Sequence, residues 1–352
     1  MSKYPEYISE KRRPIPTPKD LVENGKAHFG TFIDPFLAMS LLDMKKPCGK
    51  MPGFMKKSRL TIWEAFEINM DEGTLVSAVY NMNALGFNIM VWYDKAEDKV
   101  YSWQNFAPGF MCKVAPTLID TTTSLTLKKS TLEIENHFEE GRCHAKGHAK
   151  NRKSGEFEFD MEAVRLSPPS VVSIPLGKPN PLYSEKDFFK ATGYVKVNGK
   201  TYKSNERTTV IVDDHKGYYP FHAHYDWLTM MGKVDIDGEN KYLAINFTHN
   251  QSTNEDDYNE NLLWLEGESH PIPPVKFEKI SKDYWRVYDD NGTVEVFFDM
   301  RKDFKMMLHL LVVDISYRLP YGYVKGFVTD TNGKKYVVDG MSGMGEDKTT
   351  RI

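Results

Sequence analysis

Hydrophobic and polar side chains alternate along much of this chain. Leu132-Glu133-Ile134-Glu135 and Phe157-Glu158-Phe159-Asp160 put every second residue on one face. A period of two predicts strands with one face buried and one wet. Other runs, 75–82 (LVSAVYNM) and 87–93 (FNIMVWY), are rich in β-branched and aromatic residues and bounded by Asp71-Glu72-Gly73, 83–86 (NALG) and Asp94-Lys95. Further short runs follow at 124–126, 131–138, 142–149 and 156–164. Strands recurring roughly every ten residues predict an antiparallel barrel or sandwich. In residues 193–202 (GYVKVNGKTY) the Asn198-Gly199 pair predicts a tight hairpin, and 235–240, 289–292 and 330–333 read as further turns. Helical signals are few, with 185–190 at most a short helix.

Proline divides these runs. Residues 1–55 contain Pro5, Pro14, Pro16, Pro18, Pro35, Pro47 and Pro52, which predicts an irregular arm packed over a later domain. Residues 167–181 hold five of the 19 prolines and predict a break. The expected organisation is therefore an arm at 1–55, a β domain at 56–170, a junction at 171–190, and a second β domain at 191–352 carrying the main candidate site. The predicted class is all-β, with two antiparallel barrel or sandwich domains in tandem.

Composition narrows the function. The 352 residues are 40% hydrophobic and 27% charged, enough apolar material for two cores. Forty-six basic and 49 acidic side chains leave a formal charge of -3, which argues against a sequence-independent nucleic-acid partner. No run approaches a membrane span, and the N-terminus lacks the apolar core of a secretory signal. Three scattered cysteines, Cys48, Cys112 and Cys143, have no metal-type spacing and suit a reducing cytoplasm.

Chemistry concentrates at 213–227 (DDHKGYYPFHAHYDW). Three of the ten histidines, three acids, three tyrosines and a tryptophan fall there. Aromatic walls with convergent polar groups are what a small-molecule pocket requires, and buried acids and histidines suit proton transfer. His222 and His224 would share one face of a strand, but a metal would need a third ligand such as His249 or an acid, and none is identifiable. No metal or organic cofactor is expected. The C-terminal run 340–349 (GMSGMGEDKT) puts Glu346 and Asp347 where a phosphate loop needs Lys and Ser/Thr, so a glycine-rich bend bringing Glu346 against the barrel is the better reading. Residues 235–240 lack the distal glutamate of a calcium loop, where Ala244 stands. Dinucleotide, serine-hydrolase and zinc-protease motifs are absent.

Taken together, 21–25 (LVENG), 59–66 (RLTIWEAF), 171–176 (VVSIPL), 213–227, Glu260-Asn261 with Glu266-Gly267, and 343–347 (GMGED) make the chain resemble the DUF2804 family. That family is related in fold to the hydroxyneurosporene synthase (carotenoid hydratase) and AttH-like group. The resemblance implies tandem lipocalin-like β domains. The related hydratases add water across an isoprenoid double bond with acids and aromatics and without a cofactor.

The leading expectation is a pocket for a hydrophobic or polycyclic small molecule with cofactor-independent hydratase, isomerase or cyclase chemistry. Asp214, His222, His224 and Glu346 are the catalytic candidates. Trp63, Glu64, His215, Tyr219, Tyr225, Trp227, Asn246 and Asn261 are the ligand-binding candidates. The alternatives are a non-catalytic lipid or isoprenoid carrier and, third, a carbohydrate-active enzyme. A homo-oligomer is left open.

Overall fold

A computed structural model of the chain describes residues 4–177, 180–309 and 314–351. Two antiparallel sheets dominate it, one of 13 strands and one of ten among the described residues. The first curls almost into a barrel around Phe66, Trp92, Trp103, Phe157 and Phe159. The second forms a half-barrel around Leu228, Phe247, Trp285 and Phe298. This is the all-β, tandem lipocalin-like architecture expected.

Strand texture follows position. Ser130–His137 buries every second residue, with Ser130, Leu132, Ile134 and Asn136 inward and the intervening side chains partly exposed. In Thr209–Gly217, by contrast, every residue is buried. Its even residues Val210 and Val212 enter the first core, while odd Ile211 joins a third apolar layer shared with Trp227, Trp264, Tyr317 and Tyr321 of the second sheet. The 13-stranded sheet is thus covered on both faces where the halves meet, and its strands there lose their polar alternation. Tyr93 stacks on Tyr321 at 5.5 Å, and the Tyr321 hydroxyl donates to the Val91 carbonyl at 3.1 Å. Each apolar side chain buried in this layer contributes about 1.5–3 kcal/mol, so the halves pack as one body.

Several local expectations change. Residues 185–190 sit inside the strand Pro181–Val197, paired on both sides, and tertiary pairing overrides their helical composition. Ser170–Pro175 pairs antiparallel with the start of that strand, so the proline-rich stretch expected as a junction runs as two strands of the first sheet. Pro168 and Pro169 precede the first of these strands, Pro175 ends it and Pro181 opens the second. The chain passes to the second sheet later, between Thr209–Gly217 and His222–Ile236. Ser342–Arg351, expected as a glycine-rich bend, is a strand paired on both edges, and a Cβ at Gly345 would lie 2.8 Å from the Trp227 carbonyl. The turn pairs Asn198-Gly199 and Asp237-Gly238 take positive φ in tight hairpins.

From the N-terminal arm, Gly30–Phe32 adds a strand beside Ser170–Pro175. Arg12 is buried, donating to Thr31 Oγ1 at 3.0 Å and to the Asn261 carbonyl at 2.7 Å. Among the described residues no helix is long and apolar enough to cross a membrane.

Candidate functional site

A cleft lies between the two sheets, and the crossing at residues 218–221 explains its composition. Strand Thr209–Gly217 supplies Asp213 and His215 to one wall, and His222–Ile236 supplies Tyr225 and Trp227 to the other. The densest sequence cluster is therefore the covalent hinge of the cleft, contributing to both sides. The atom-free space, open mouth included, is about 990 Å³.

The first wall is aromatic. His215 stacks on Trp63 at 4.3 Å, Trp63 on Tyr80 at 5.6 Å, and Tyr80 on Phe87 at 5.2 Å. Ala65, Val76, Ala78 and Ile89 fill the sheet surface around them. Trp227 faces this wall from the second sheet, its indole N–H donating to Asn246 Oδ1 at 2.7 Å.

One end holds a buried ionic network. Lys186 Nζ lies 2.9 Å from Asp213 Oδ1, 2.7 Å from Glu260 Oε2 and 2.8 Å from His215 Nε2. His215 Nε2 is also 3.1 Å from Asp213 Oδ1. Asn250 donates to the second Glu260 oxygen at 3.1 Å. Burial alone would raise the Glu260 carboxyl, but Lys186 and His215 outweigh it and hold Glu260 well below the carboxylate range. Burial and Lys186 press His215 downward, yet Asp213 and Glu260 leave its pKa raised. The ring can accept from Lys186 or, once protonated, donate to Asp213, which is the behaviour of a proton relay.

Glu346, also on the cleft wall, accepts from the Tyr317 hydroxyl. Burial raises its pKa against the opposing effects of Lys348 and of hydrogen bonds from Tyr317 and Tyr225, which favours a protonated acid facing the cleft. Burial also raises Glu67, helped by the Asp213 charge. The tyrosines Tyr80, Tyr225 and Tyr317 are raised by burial as well and remain hydroxyl donors.

The sequence candidates separate accordingly. Trp63, His215, Tyr219, Tyr225, Trp227, His224 and Glu346 line the cleft. Asp214 and Glu64 do not, because a strand turns successive side chains to opposite faces. Both point into the first barrel, where Lys216 pairs with Asp214, and Glu64 takes hydrogen bonds from Thr123 and, at 3.0 Å, from Asn136. His222 is exposed, edge-on to Phe221 at 4.9 Å, and does not line the cleft. Asn246 and Asn261 lie behind the wall. Asn246 Nδ2 donates to the Glu260 carbonyl at 2.9 Å, and Asn261 Oδ1 accepts from the Thr248 amide at 2.7 Å. His249 is 3.3 Å from Glu255 rather than beside His224. The donor atoms that do converge, within 4.8 Å among the described residues, belong to His224, Asp226 and Asp347. There the Lys279 ammonium bridges the two carboxylates at 2.8 and 2.6 Å, taking the place of a bound cation.

Sequence reasoning missed Lys186, Asp213 as the cleft acid, Glu260, Glu67, Tyr80, Tyr317 and Lys348. The available signal was charged residues inside otherwise apolar strands, as in 61–69 (TIWEAFEIN) and 181–190 (PLYSEKDFFK).

The family model for a domain of unknown function, DUF2804, matches residues 12–352. The chain belongs to the DUF2804 family. No curated protein matches it. Among solved structures, this DUF2804 protein is similar to kievitone hydratase from Nectria haematococca, at 9% identity over 83% of this chain and 88% of that one, with a TM-score of 0.50. It is also similar to CghA in a structure with Sch210972, at 9% identity over 82% and 88% of the two chains, with a TM-score of 0.53. These likenesses establish a shared fold.

Proposed function

We propose that the cleft binds a hydrophobic small molecule and transforms it by acid–base chemistry, as a cofactor-independent hydratase, isomerase or cyclase. The observation that carries this reading is the pairing of a half-buried acid, Glu346, with a base network at Asp213 and His215 in one aromatic-walled space. Glu346 gives its proton to a carbon of the ligand's double bond. The π-face of Trp227, which no ring stacks on among the described residues, shields the cation that develops on the neighbouring carbon. Water then adds and loses a proton to His215, or a neighbouring C–H is lost to the same base. A proton returned through solvent resets Glu346. That a protein named a hydratase has this scaffold supports the reading at the level of fold.

The test is incubation with a panel of isoprenoid alkenes and fused-ring phenols in deuterium oxide. Conversion should put solvent deuterium on carbon, and Glu346→Gln should slow it by about 10²–10⁴-fold, the range for general acid catalysis. Undiminished conversion by that variant would remove Glu346 from the reaction. A stoichiometric, chemically unchanged molecule seen by native mass spectrometry after incubation would make the protein a carrier.

A further inference from the structure

Lys348, half-buried on the cleft wall, differs from the fully buried lysines. Lys186 and Lys216 each sit within salt-bridge distance of carboxylates. Among the described residues Lys348 closes no such pair. Its ammonium donates to the Tyr80 hydroxyl at 3.0 Å and lies over the rings of Tyr80, Tyr225 and Tyr317 at 4.8, 5.4 and 5.6 Å. An ammonium has three donors, and one is satisfied here. The side chain also lines both the main cleft and a smaller chamber beside it, which is bounded by Arg59, Thr61, Met82 and Ile315. Lys348 therefore stands between the two spaces with donor capacity to spare.

The charges of the cleft lead to the same place. Lys186 and His215 match Asp213 and Glu260. The acid whose charge acts on Lys348 is Glu346; burial raises the pKa of the acid and lowers that of the lysine, and no salt bridge joins the two among the described residues. A half-buried cation without a salt bridge still bears part of the cost of leaving water, and a positive charge beside a developing carbocation opposes it. Both costs vanish if the ligand brings a single negative charge.

We infer that the ligand is a hydrophobic acid bound as its carboxylate, with one oxygen received by Lys348 between the chambers and its apolar body laid along Trp63, Tyr80 and Phe87. This deepens the reading of the cleft as a small-molecule site but does not depend on turnover.

The experiment compares two probes of nearly equal shape, 1-naphthylacetate and 1-naphthaleneacetamide, by isothermal titration at neutral pH. Wild type should bind the acid about tenfold more tightly, as a charge-assisted hydrogen bond implies. Lys348→Met, close in volume, should bring the ratio of the two affinities near one, and Lys348→Arg should keep the preference. Thermal unfolding of both variants verifies that they fold. Equal affinities in wild type, or a preference that survives Lys348→Met, would overturn the inference while leaving the cleft as a binding site. Binding of neither probe would overturn it together with the reading on which it rests.

Discussion

The two faces of strand Thr209–Gly217 handle buried charge differently. On the cleft face, Asp213 and Glu260 meet Lys186 and His215, and each group has an ionic partner. On the barrel face, Asp214 lies in register with Glu64 on one neighbouring strand and Glu185 on the other, with Asp187 farther along. Only Lys216 and Arg165 pair with this group among the described residues. In the matched network Lys186 and His215 hold Glu260 ionised. The overloaded one holds protons instead, with Glu64 pushed up to about 8 by burial and the Asp214 charge, and Asp187 to about 6 by burial against Arg165. Burial by itself thus does not place an acid at the cleft; the parity of the strand separates Asp213, which lines it, from Asp214, which does not.

The largest effect should come from breaking the matched side. Lys186→Met leaves two buried carboxylates with His215 alone and should cost about 3–5 kcal/mol in urea unfolding. Lys216→Met should cost less, and less still as the pH falls, because Asp214 can take a proton. Equal costs at every pH would erase the contrast.

Activity provides the next separation. With a substrate in hand, Asp213→Asn should lower kcat/KM by about 10²-fold, and Asp214→Asn should change it by less than about twofold.

The pH dependence of stability should carry opposite signs at the barrel-face acids and at Glu260. Glu64 and Glu185 have folded pKa values raised above the unfolded range near 4.3, so the folded state binds more protons and stability falls as pH rises through Glu64's value of about 8. Glu260, depressed by Lys186 and His215 against its burial, instead contributes stability above the unfolded pKa that is lost as pH drops below it. Between about pH 5 and 8 the Tm should fall by about 5 °C, and Glu64→Gln with Glu185→Gln should flatten that fall. Glu260→Gln should flatten the acid limb.

The smallest effect tests the scaffold behind the cleft. Asn246→Ala leaves the Trp227 indole N–H without its acceptor and should cost about 1–2 kcal/mol in thermal unfolding.

Much of this was legible in the chain. Alternation at 130–137 and 155–165 marks strands with one wet face, and the Asn198-Gly199 turn marks its hairpin. The cluster at 213–227 marks the cleft because the chain crosses between sheets there, so one short segment builds both walls. The parity within that cluster was not legible. When both faces of a strand are buried, Asp213 and Asp214 look alike in sequence, and only the neighbouring layers tell the cleft from the barrel interior. Lys186, Glu260, Tyr317 and Lys348 were hidden for a related reason, since each reaches the cleft from a segment distant in sequence from 213–227.

The amino-acid sequence by itself determined the all-β class, the hairpin turns and the segment where chemistry gathers, because these follow from local period, turn residues and composition. Tertiary structure decided which side of each doubly buried strand faces the cleft, and it brought residues from 63 to 348 into one site. Strand pairing and sheet packing set those distances, and no local pattern encodes them.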